Sequence, residues 1–142
     1  MQQMEPILFP CAAMVALTAV VWVRMYVDRI GEMHARRIHP QSLSTQAAAH
    51  EKLQHTQAAD NFRNLFEMPV LFYVLCICLA ITGLGDHPFV AGAWAYVALR
   101  VMHSFIHTGY NRVMHRFTVY VISSVLLFLL WGGFALQLLA AV

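Results

Sequence analysis

"LRVMHSFIHTGYNRVMHRFTVY", residues 99–120, decides how this chain is read. It carries three arginines, three histidines and two tyrosines between two long apolar runs. The whole chain of 142 residues is 60% hydrophobic and only 11% charged, with a mean hydropathy of +0.61. A soluble domain carries about 25% charged residues, so a polar hairpin in this setting reads as the water-facing turn between two membrane spans.

Working outward, a membrane helix needs about 20 mostly apolar residues. Four runs meet that length: Pro6 to Val27, Phe66 to Thr82, Pro88 to about Tyr110, and about Phe117 to Val142. With their polar ends included, the expected spans are about 6–36, 61–82, 88–110 and 116–141, in one domain covering 1–142. The first run does not read as a cleavable signal peptide, because its arginines follow it instead of preceding it. "GLGDHP" (83–88) and "YNRVMH" (110–115) are tight connections. Residues 39–60 form a longer, alanine-rich polar stretch, expected as a surface helix or a mobile loop.

The 9 basic residues all fall in or beside the first and third connections. Basic loops stay cytoplasmic, so connections one–two and three–four are expected there, with both termini on the opposite side. Short connections make neighbouring helices antiparallel, and the expected fold is an all-α, up-down four-helix membrane bundle. Cys11, Cys76 and Cys78 sit in apolar runs as small hydrophobes, not as a disulfide framework. A net charge of only +2, with no basic tail or recognition motif, excludes nucleic acid as an expected partner.

Within the third span, Arg100, His103, His107 and Tyr110 recur at i, i+3, i+7 and i+10, one stripe of a helix. Ionisable groups inside a span must pair, and they mark functional sites. The second span opens with Arg63, Asn64 and Glu67, also on one helical face. Arg100 is the expected partner of Glu67, since a guanidinium–carboxylate pair offsets desolvation best. Arg116 stands at the start of the fourth span, where free N–H groups and the helix dipole favour an anion. Tyr120 follows one turn later on the same face. The constellation reads as a site for a small anion, open at the basic end of the bundle. Its structural counterpart is a set of interhelical staples, with Asn111, Arg112 and His115 in a wet loop.

These residues resemble the membrane-associated proteins in eicosanoid and glutathione metabolism, a family that includes microsomal glutathione transferases and prostaglandin E synthase. The resemblance rests on Arg100-x-x-His103 with Arg116 and Tyr120, then on Arg63-Asn64-x-x-Glu67 with Pro69, and on "RMYVDRIGEMHARR" (24–37), and it covers nearly the whole chain. It implies a homotrimer with glutathione as co-substrate between subunits. Arg63, Asn64 and Glu67 would come from one subunit and His103, Arg116 and Tyr120 from its neighbour, with Arg36 reaching in from the first helix. Arg100 and Tyr110 would support the site. Arg116 matches the arginine that activates the thiol. A cation lowers a thiol pKa from about 8.5, and the thiolate attacks a hydrophobic substrate that enters from membrane lipid. His107 stands where the prostaglandin synthase branch has a glutathione-binding tyrosine. The resemblance is to bacterial-type members, which implies a bacterial inner membrane.

Three other readings compete. Haem needs histidines on different helices, whereas His103 and His107 share one. A metal held by His103, His107 and Glu67 would be repelled by Arg100. A non-catalytic subunit that binds glutathione, lipid or a protein partner shares every feature of the fold. A transferase and a peroxidase use the same thiolate, and the sequence does not separate them.

Overall fold

A computed structural model describes residues 5–141. Every regular element in it is helical: α1 Leu8–Arg36, α2 Gln46–Lys52, α3 Gln57–Asn64, α4 Met68–Thr82, α5 His87–Thr108 and α6 Val113–Ala140. Four units are long and apolar enough to cross a membrane: α1, the α3–α4 pair, α5 and α6. The expected four-helix membrane architecture is present. The last residue of the expected fourth run, Val142, lies outside the described residues.

Each helix stops for a local reason. Arg37 closes α1 in the left-handed region at φ 51°, its N–H reaching the His34 and Met33 carbonyls. His34 and Arg36 in that last turn complement the negative end of the helix dipole. Gly83 closes α4 at φ 69°, a conformation that costs glycine nothing. Pro88 sits in the first turn of α5, where its missing N–H has no helical partner to lose.

The second span is not one continuous helix. Pro69 has no N–H to offer the Leu65 carbonyl and its ring crowds that carbonyl, which breaks a helix at this point. The chain turns through Leu65–Glu67, with Phe66 N–H bonding back to Arg63 O at 2.9 Å, before α4 begins. The 39–60 stretch is likewise ordered, as a 3-10 turn at Pro40–Leu43 followed by α2 and the start of α3. Glu32, buried on α1, holds it down. Its carboxylate accepts from Gln54 N–H at 2.7 Å and His55 N–H at 3.0 Å.

The core lies between the helices, and α5 packs against α1, α3 and α6. Phe72 of α4 stacks on Tyr96 of α5 with centroids 4.6 Å apart, joined by buried Met14, Leu75, Leu79, Leu127 and Phe134. The outer surface is also apolar: Val20, Ile81, Phe105, Leu129 and Leu139 are all exposed. An apolar inside and an apolar outside together are the signature of a bundle whose solvent is lipid.

Candidate functional site

The buried middle of α5 is polar. Tyr96 and Arg100 are fully buried, and His103, Ser104 and His107 nearly so. Arg100 and Glu67 do not form the expected ion pair. Among the described residues the ion pairs of arginine are Arg24–Asp28 and Arg36–Glu32, and His50 Nε2 lies 3.0 Å from Asp60. The helix break explains this. The shared face of Arg63, Asn64 and Glu67 assumed a continuous helix, and the turn at Leu65–Glu67 leaves Glu67 exposed. It also takes the Asn64 carbonyl, at the C-terminal end of α3, out of the regular helical ladder, leaving it only a long 3.4 Å bond from Glu67 N–H. Arg100 Nη2 donates to that carbonyl at 3.2 Å, a cation capping the negative end of a helix. Arg100 Nε and Nη1 have no partner among the described residues. Its guanidinium carbon lies 5.6 Å from the centre of the Tyr120 ring, within cation–π range.

One turn toward the basic end, His103 Nδ1 lies 3.2 Å from the Arg116 carbonyl. A carbonyl only accepts, so His103 carries its proton on Nδ1 and leaves Nε2 as an acceptor. Nε2 is buried without a partner. His103 also stands beside Tyr120, ring centres 5.8 Å apart, and beside His107 at 5.6 Å.

Arg116 is held from the opposite side. Its Nη1 donates to Asn111 Oδ1 at 2.9 Å. Asn111 adopts φ 49°, the left-handed region that asparagine enters more readily than most residues. Gly109 makes the turn possible: a Cβ there would lie 2.8 Å from the Phe105 carbonyl oxygen. Asn111 belongs to the supposed wet loop, yet it is the residue that aims Arg116. Its place after a glycine, in a two-span hairpin, is the one sequence cue to that role.

Asn64, His103, Val113, Arg116, Phe117 and Tyr120 together line an open cavity of about 160 Å³. It offers guanidinium donors, an amide, an imidazole acceptor and a phenol against a partly apolar wall. Other candidates stand elsewhere. Arg36 pairs with Glu32 at 2.5 Å and donates to the Lys52 carbonyl at 2.7 Å. Arg63 lines a different crevice, with Arg29 and His50. His107 is buried behind His103 and does not line the cavity. Tyr110 is not on the α5 stripe, because α5 ends at Thr108. It is exposed, its hydroxyl 3.1 Å from His115 Nδ1. Asn61 was not read from the sequence. It is fully buried, accepts from Ser104 Oγ at 3.4 Å, and leaves Nδ2 unpartnered.

Compared with known proteins, residues 7–136 match the family model described as the MAPEG family. No curated protein and no solved structure matches the chain.

Proposed function

The chain belongs to the MAPEG family, glutathione-related membrane proteins, and on that premise we propose that it is a membrane-embedded glutathione-dependent transferase or peroxidase acting on hydrophobic substrates. The observation that carries this reading is the cavity shared by Asn64, His103, Arg116 and Tyr120. Glutathione supplies a thiol that becomes the nucleophile once ionised. Arg116, oriented by Asn111, brings a fixed positive charge to the cavity and favours the thiolate. His103 Nε2 is the acceptor available to an N–H or S–H of the ligand. Asn64 offers amide pairing, and the Tyr120 hydroxyl adds a donor one turn beyond Arg116. The cavity is open, so a tripeptide longer than it extends across its mouth. In a homotrimer, exposed Glu67 is free to meet the ammonium of glutathione held by a neighbouring subunit. Phe117 and Val113, exposed beside Arg116, give a lipid-borne substrate an apolar approach.

Calorimetric titration of glutathione into detergent-purified protein tests the site, beside Arg116→Ala and Tyr120→Phe. Binding by the wild type, with weakening in both variants, is the expected result, followed by turnover in a screen of hydrophobic electrophiles and hydroperoxides. Absence of wild-type binding at millimolar glutathione overturns the reading.

A further inference from the structure

The short helix α3 packs on α5. Its buried residues are Ala58 and Asn61, with Leu65 just after it. Apolar side chains fill such a seam without penalty, whereas a buried amide must find partners for its carbonyl and its two N–H bonds. Asn61 is fully buried. Its Oδ1 accepts from Ser104 Oγ at 3.4 Å, and its Nδ2 is unpartnered among the described residues.

Ser104 and His107 stand at i and i+3 on α5 and share a face. His107 is buried, and its Nδ1 is likewise unpartnered among the described residues. No carboxylate among them pairs with it. Buried without a counter-charge, the ring is a neutral imidazole with one donor and one acceptor nitrogen. A spare amide donor on α3 and a spare ring nitrogen on α5 therefore flank the same serine. Leaving either one unmade costs more than the bond itself contributes. One shared water closes a gap too wide for a direct bond, as buried waters commonly do between such groups.

We propose that Asn61 Nδ2 donates to His107 Nδ1 through one shared water, and that this link makes Asn61 a positioning residue for Asn64. Asn64 follows one turn along α3 and lines the Arg116 cavity. Its carbonyl is held by Arg100 at 3.2 Å. Asn61 and Arg100 thus fasten two successive turns of a helix that Pro69 separates from α4. A slip of α3 along α5 carries the Asn64 amide out of the cavity wall. The link also fixes a tautomer: His107 carries its proton on Nε2, the opposite of His103. The role toward Asn64 rests on the glutathione reading, and the tautomer does not.

Nitrogen-15 NMR of the histidine side chains in detergent-purified protein reads the tautomers, with the His107 signals assigned from His107→Gln. The expected spectrum shows His107 Nε2 protonated and Nδ1 bare. A protonated Nδ1 in the wild type overturns the proposal, whether or not any variant folds. Asn61→Asp keeps the shape and the bond from Ser104 but removes the donor. His107 Nδ1 is then expected to gain a proton while the His103 signals stay, and a His107 spectrum indifferent to this change overturns the link. A loss of packing alone moves no tautomer. Glutathione titration reads the second half. Asn61→Leu is expected to raise the Kd roughly two- to tenfold, the worth of about one buried hydrogen bond, and a wild-type Kd in that variant overturns the positioning role. Absence of glutathione binding by the wild type sinks the glutathione reading and the positioning role with it, and the tautomer still decides the link.

Discussion

Replacing Asn111 by glycine separates two jobs that one residue performs. The φ of 49° at Asn111 costs a typical residue about 1–2 kcal/mol and glycine nothing. Asn111→Gly therefore keeps the turn and removes only the 2.9 Å bond to Arg116 Nη1. Freed of that bond, Arg116 must be ordered by the ligand instead, which costs about 0.5–1.5 kcal/mol for a rotamer-rich side chain. The glutathione Kd is expected to rise roughly two- to tenfold. The melting temperature should change little. Asn111→Ala should weaken binding by the same factor and lower the melting temperature as well, because the backbone strain falls on folding and not on binding. Titration calorimetry gives the first quantity and a detergent melt the second. An unchanged Kd in Asn111→Gly would refute the reasoning, since Arg116 would then be positioned by something else.

Three further outcomes are expected. Glu32→Gln weakens the two backbone bonds to Gln54 and His55 and the pair with Arg36, a loss of about 1–3 kcal/mol. Limited proteolysis should then cut within residues 39–56 faster than in the wild type, and equal rates would show that the clamp is not what orders this segment. Gly109→Ala forces a Cβ to within 2.8 Å of the Phe105 carbonyl oxygen, which should destabilise the α5–α6 hairpin by about 1–3 kcal/mol and show as a lowered melting temperature. Tyr96→Phe removes a buried hydroxyl that has no partner among the described residues. The change should leave stability equal or raise it by about 1 kcal/mol, whereas a clear loss in the melt would mean that the hydroxyl is satisfied after all.

Much of the fold was legible because a membrane imposes simple rules on a chain. Runs such as Pro6 to Val27 and Pro88 to Tyr110 are apolar over the length a bilayer requires. Basic residues gathered in two connections marked one end of the bundle, and helical spacing alone put Arg100, His103 and His107 on one face. Composition, periodicity and charge placement are one-dimensional quantities, and they carry architecture. They do not carry the partner of a given side chain. The sequence offered Glu67 to Arg100 by charge alone. Pro69 broke the helix there and left Glu67 exposed, and Arg100 donates to the Asn64 carbonyl, which also accepts from Glu67 N–H. Arg63 and Asn64 are neighbours in sequence, yet one lines the crevice with Arg29 and His50 and the other the Arg116 cavity. Asn111 looked like loop and proved to aim Arg116, because its left-handed backbone turns the side chain back toward α6. Such pairings depend on where helices stop and how the following residue turns. Those are matters of backbone geometry in three dimensions, and only the tertiary structure decided them.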